Sequence, residues 1–213
     1  MTKKKESKKI LFVLLLLSFL FVTLVSKNSF LYRFNDWWDA NAFMTVGKSW
    51  FKGNLPYMDL FEQKGPLLYL IYGIASLLSD TSFIGVYLFE IAAFFVVLIY
   101  AKKIINLCFK QETFVVPALT LFTLSVFILK PFTHGGSAEE FTMPLFMISM
   151  YYLFKFMKSK ERKLPWNIVL LNGILAGCVL WIKYTLLGFW FIWEATLVLT
   201  PLFKKNIKDL NSI

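Results

Sequence analysis

The sequence predicts an all-α, polytopic transmembrane helical bundle with one large outer loop that carries interfacial helices. Three observations carry that prediction. The chain of 213 residues is 58% hydrophobic with a mean hydropathy of +0.62, too apolar for a soluble domain. Its charged residues, 17% of the total, cluster between apolar runs instead of decorating helical faces. The excess of Lys and Arg, a net charge of +10, falls mostly in short segments between those runs, where the positive-inside rule accounts for it without a nucleic-acid partner. Cys108 and Cys178 stand apart without metal-ligand spacing, and His134 is the sole histidine, so neither a zinc site nor a His-based triad is indicated.

The elements follow in order. A basic start, MTKKKESKK, precedes residues 10–26, an uncharged run about 26 Å long as a helix. No small-x-small cleavage site follows, so the run reads as a signal anchor with its lysines inside. Further spans are expected at residues 83–101, 113–129, 141–157, 167–182 and 185–203. Three basic clusters orient them: Lys102, Lys103 and Lys110; Lys155, Lys158, Lys160, Arg162 and Lys163; and Lys204, Lys205 and Lys208. All three fall inside if residues 66–78, only about 20 Å as a helix, form an interfacial or re-entrant helix on the outer side. Residues 27–82 are then one outer loop of a single membrane domain, 1–213.

That topology gathers the 36–64 region, the turn HGGSAEE at 134–140 and the hinge Lys183–Tyr184 on one face. Asp36, Asp39, Glu62, Lys64, Glu139, Glu140 and Lys183 can therefore share one mouth. Asp36 and Asp39, three apart beside paired tryptophans, would share a helical face. Trp37, Phe43, Val46, Trp50 and Phe51 recur at helical spacing, as in an amphipathic helix lying on a membrane. Gly53-Asn54 and Pro56 end that helix, and Lys64-Gly65-Pro66 breaks the chain again. Glu90 and Glu194 fall inside spans, where a carboxylate faces a cavity or a partner helix.

The loop carries an ordered motif: Asp39, then G-x-x-P-Y-x-D (Gly53, Pro56, Tyr57, Asp59), then E-x-K-G-P-L-L-Y (Glu62, Lys64, Gly65, Pro66 to Tyr69). This order resembles the first outer loop of the GT-C glycosyltransferases, and more narrowly the branch with the aminoarabinose transferases, the protein mannosyltransferases and the RgtA/B/C/D-like proteins. Glu139-Glu140 and the glycine-containing run ending at Lys183 extend the resemblance over most of the chain. The chain departs from the pattern at Ala40, where those branches usually place Glu, and at Ala42, where some carry a basic residue. Members are usually longer, so the resemblance implies an N-terminal, loop-bearing portion.

The resemblance implies transfer of a sugar from a polyprenyl-phosphate donor to a lipid or envelope-glycan acceptor at the outer face. Such chemistry needs a base for the acceptor hydroxyl and positive charge for the departing phosphate. It assigns Asp39 as base, Lys64 and Lys183 at the phosphate, and Glu139 and Glu140 at the acceptor or at a divalent cation, the one cofactor in view. Asp36 would support Asp39, and Tyr57 and Asp59 belong to the substrate loop. Read from the residues alone, Asp39 equally suits a helix start, and interfacial lysines equally snorkel to headgroups. The alternatives are a non-catalytic membrane subunit pairing helices with a partner protein through Glu90 or Glu194, and a lipid or solute transporter, against which no internal repeat is seen. Lys, Asn, Ile and Phe usage points to an AT-rich bacterial genome and the cytoplasmic membrane.

Overall fold

The computed structural model describes residues 2–109, 115–159 and 164–210. Lys110, Lys160, Arg162 and Lys163 of the basic clusters lie outside the described residues, as do the first residues of the expected span 113–129. The described chain is helical: α1 Thr2–Val25, α2 Trp38–Trp50, α3 Pro66–Ser76, α4 Ile84–Cys108, α5 Val115–Phe127, α6 Lys130–His134, α7 Ala138–Lys158, α8 Trp166–Lys183 and α9 Gly188–Leu210. A 3-10 turn, Tyr184–Leu187, joins the last two.

Among the described residues, three stretches are long and apolar enough to cross a membrane: Lys8–Val25, Ile84–Cys108 and Trp166–Leu199. The third is not one straight rod. Lys183 leaves helical geometry at φ −158°, ψ 98°. Trp190 Nε1 then donates to Asn172 Oδ1 at 3.1 Å, whereas residues 18 apart on a straight helix would lie about 27 Å apart. The chain therefore turns back at Lys183, and the start of α9 meets α8 through Trp190, which packs with Leu175 and Val179. Among the described residues of the run 113–129, Val115–Phe127 form the helix α5. Residues 141–157 lie within α7, whose ends carry Glu139, Glu140, Lys155 and Lys158.

Helix α4 is the post against which α1, α3, α5 and α7 pack. Phe21 of α1 stacks on Phe94 of α4 at 4.2 Å between centroids. Polar contacts reinforce the seam: Ser18 Oγ donates to the Ile91 carbonyl at 2.7 Å, and the Thr23 and Tyr87 hydroxyls meet at 2.6 Å.

Helices α2 and α3 pack face to face, so the middle of the apolar stripe of α2 meets protein, while Phe51 at its end is exposed. Phe43, Met44 and Val46 are buried against the wholly buried Leu68, Tyr69 and Tyr72 of α3. Gly47 and Gly73 make the crossing possible, since a Cβ on Gly47 would lie 2.6 Å from the Gly73 nitrogen. The helical spacing of the stripe was legible; its partner was not.

Candidate functional site

A pocket of about 200 Å³ lies where α2, the 130–139 segment, Lys64 and the end of α8 meet. Its charged lining is Asp39, Glu139, Lys64, Lys130 and Lys183, walled by Trp37 and His134. Three cations thus face two carboxylates. The volume is below the roughly 300–1,000 Å³ of a drug-sized ligand site, which leaves room for a phosphate and a few attached atoms.

Each side chain is brought there by local chemistry. Helix α2 begins at Trp38, after a turn in which Asn35 Oδ1 accepts the Trp37 N–H at 2.9 Å and Asn41 Nδ2 donates to the Asn35 carbonyl at 2.9 Å. Asp39 sits in the first turn of α2, where the helix dipole favours a carboxylate. It does not cap the helix: the cap residue is Trp37, and no side-chain cap bond forms. Lys64 is held over the Phe43 ring at 5.5 Å and pairs with Glu62 at 3.5 Å. Lys183 pairs with Glu139. Neither lysine extends freely toward headgroups.

Behind Lys64, burial works against the Glu62 charge. The Tyr69 hydroxyl, the backbone N–H groups of Lys64 and Gln63, and the Lys64 ammonium outweigh it and hold the Glu62 carboxyl below its ordinary value. Burial, then the contact with Glu62, pushes the Tyr69 hydroxyl up.

Several expected site residues lie elsewhere. Asp36 precedes α2, so it shares no helical face with Asp39; it points out and pairs with Lys27 at 2.5 Å. That hydrogen bond holds the Asp36 carboxyl below its usual range. Asp59 Oδ2 accepts the Leu55 N–H at 2.7 Å and closes the loop turn. Tyr57, at φ 71°, donates its hydroxyl to the Lys64 carbonyl at 2.6 Å, and burial raises its pKa. These two shape the loop and do not line the pocket.

Glu140 is 2% exposed and faces the core, because adjacent helical residues point about 100° apart and Glu139 takes the pocket side. Its carboxylate accepts the Gly136 N–H at 2.9 Å, while Ser137 Oγ accepts the Glu140 N–H at 3.0 Å. S-x-x-E here is a capping box displaced by one residue. Glu90 lies in the same buried cluster, accepting from Ser26 Oγ at 2.7 Å and Asn28 Nδ2 at 2.6 Å, so it is committed inside the chain. Glu194 is exposed on α9. Among the described residues no three His, Cys, Asp or Glu side chains are grouped to hold a metal ion.

Lys130 and His134 are pocket residues that the sequence did not single out. Lys130 carries the signal that marked Lys183, a lysine at the end of an apolar run. His134 looked like a turn residue beside two glycines. Its ring stacks on Trp37 at 5.1 Å, and its Nδ1 is buried with no hydrogen-bond partner among the described residues.

The geometry also explains why the loop motif misleads. Gly53 is needed for its φ of 99°. Gly65 is needed because a Cβ there would run into the Trp181 carbonyl. Asp59 and Tyr57 serve loop bonds. A loop of this shape requires these residues whatever its chemistry. No curated protein and no solved structure matches the chain. The family model that does match is not a glycosyltransferase family, so the resemblance to GT-C enzymes is corrected. Over residues 1–209 the chain belongs to the family described as Putative competence-induced protein Ccs4 N-terminal domain.

Proposed function

We propose that this chain is a multi-pass membrane protein that receives the phosphate of a lipid-anchored phosphate ester, of the polyprenyl-phosphate class, at its outer face. Asp39 acts there as base for transfer of the group the lipid carries. The observation that carries the reading is one pocket joining the Asp39 carboxylate to Lys64, Lys130 and Lys183. The six-span arrangement, with residues 27–82 outside, is part of the proposal. The family description names induction with competence and no reaction, so the chemistry rests on the pocket.

In the proposed step, Asp39 takes the proton of an acceptor hydroxyl and the acceptor oxygen bonds to the carbon of the carried group. The bond from that carbon to the phosphate oxygen breaks, and the electron pair leaves on the phosphate, facing the lysines. The lipid tail stays outside a cavity of this size. The test is titration of the chain in phosphatidylcholine nanodiscs with a short-chain polyprenyl phosphate and the matching polyprenol. Preference for the phosphate by tenfold or more, lost in Lys64→Gln/Lys130→Gln/Lys183→Gln, is expected. Equal binding of phosphate and alcohol overturns the reading.

A second reading, a non-catalytic membrane subunit, is favoured by one observation. Glu194 is exposed on α9 on the same face as Phe191 and Val198, which are 75% and 62% exposed. A carboxylate in such a setting suits pairing with another membrane helix. Co-purification of a second membrane polypeptide, abolished by Glu194→Leu, would mark it.

A further inference from the structure

Helices α1 and α5 both pack on α4 but leave a trough between them. It encloses about 640 Å³ and is lined by Leu17 of α1 and by Val116, Thr120 and Leu124 of α5. Among the described residues its charged side chains, Lys9 and Lys102, stand at one end together with the Asn106 amide, while the Thr120 and Thr123 hydroxyls on the α5 wall are turned back onto the Val116 and Leu119 carbonyls. Lys9 to Phe21 bounds the trough along α1, a rise of about 18 Å. One leaflet of hydrocarbon is about 15 Å deep. The trough thus has the length of an acyl chain, apolar walls, and two ammonium groups with an amide at headgroup height.

We propose that this trough is a binding site for one anionic phospholipid from the leaflet on the lysine-rich side of α1. Its acyl chain lies between α1 and α5, and its phosphate lies between Lys9 and Lys102. The charge at the end selects the occupant: among the described residues neither Lys9 nor Lys102 forms an ion pair, and a phosphate between them supplies the counter-charge that a neutral lipid or a bare apolar helix does not. Lys103, next in sequence, stands apart from this end: its ammonium lies over the Tyr100 ring at 4.1 Å. The site is separate from the Asp39 pocket and does not depend on its chemistry.

The test is native mass spectrometry of the full chain released from detergent containing equal phosphatidylglycerol and phosphatidylcholine. One phosphatidylglycerol retained per chain, with at least tenfold preference, is expected. Lys9→Gln/Lys102→Gln should abolish the preference and Lys103→Gln should keep it. Thr120→Trp, which fills the trough and leaves both lysines in place, should reduce retention of either lipid, with helical content by circular dichroism as the check on folding. Equal retention of the two lipids by the unmodified chain overturns the proposal, as does persistence of the preference in Lys9→Gln/Lys102→Gln. A lipid-free dimer, showing a second copy in the trough, overturns it too.

Discussion

The Gly65 backbone N–H donates to the Ile182 carbonyl at 2.9 Å, fastening the Lys64-Gly65-Pro66 turn to the last turn of α8. One residue on either side of this bond stand Lys64 and Lys183, which both reach the pocket. The site therefore depends on a docking contact between segments far apart in the chain.

Gly65→Ala tests that dependence. The added methyl would meet the Trp181 carbonyl, a backbone group that cannot rotate away. Overpacking of this kind costs about 1–3 kcal/mol. Thermal melts in detergent should show the loss, and titration with polyprenyl phosphate should weaken in the same variant. Unchanged melting would mean that the turn docks elsewhere.

Asp39→Asn and Asp36→Asn separate the carboxylate in the first turn of α2 from the one just before the helix. Asp39 lines the pocket and Asp36 pairs with Lys27 outside it. Mass spectrometry of envelope glycans and glycolipids should show the same missing product in a strain deleted for the gene and in one carrying Asp39→Asn. Asp36→Asn should match the unmodified strain. A product lost only on deletion would reduce Asp39 to a helix-start residue.

How far the residues reveal these relationships follows from the range of the forces involved. The long apolar helices are legible because insertion depends on a local sum of hydropathy. The stripe on α2 is legible because helical period is local. Asp39, Lys64, Glu139 and Lys183 were grouped from topology alone, through the positions of lysines, and they do line one pocket. Asp36 was misplaced because the i, i+3 rule applies only inside a helix, and α2 starts two residues later. Glu140 was read as half of an acidic pair although S-A-E-E is a local capping signal. His134, Asn28 and Asn35 could not be foreseen, since their partners lie in other segments: Asn35 Nδ2 reaches the His134 carbonyl at 2.8 Å.

Acid should loosen the loop behind Lys64. Burial works against the Glu62 charge, but the Tyr69 hydroxyl and backbone N–H groups hold the carboxyl below its ordinary value. A folded-state value depressed below the unfolded one gives stability that is present above the unfolded value and is lost as pH falls through the folded value. Protease nicking of the 52–64 segment should therefore rise as pH is lowered through and below the ordinary glutamate range. Glu62→Gln should show that susceptibility already at neutral pH and little further change in acid. A pH-independent nicking rate in the unmodified chain would show that Glu62 does not hold the loop.

Glu140→Gln and Glu140→Ala distinguish a hydrogen bond from a charge. The carboxylate completes the start of α7 by accepting the Gly136 N–H, in a buried cluster that also holds the Glu90 carboxylate. Glutamine keeps an oxygen that can accept this N–H and carries no charge at any pH. Alanine leaves the Gly136 N–H buried without its partner, which costs about 1–3 kcal/mol. Gly136 itself cannot move to compensate: it sits at φ 74°, and its carbonyl takes the Tyr72 hydroxyl at 2.7 Å. Melting of Glu140→Gln close to the unmodified chain, with Glu140→Ala clearly lower, is the expected order. Equal losses in the two variants would show that the charge, and not the accepted hydrogen bond, holds α7 at its first turn.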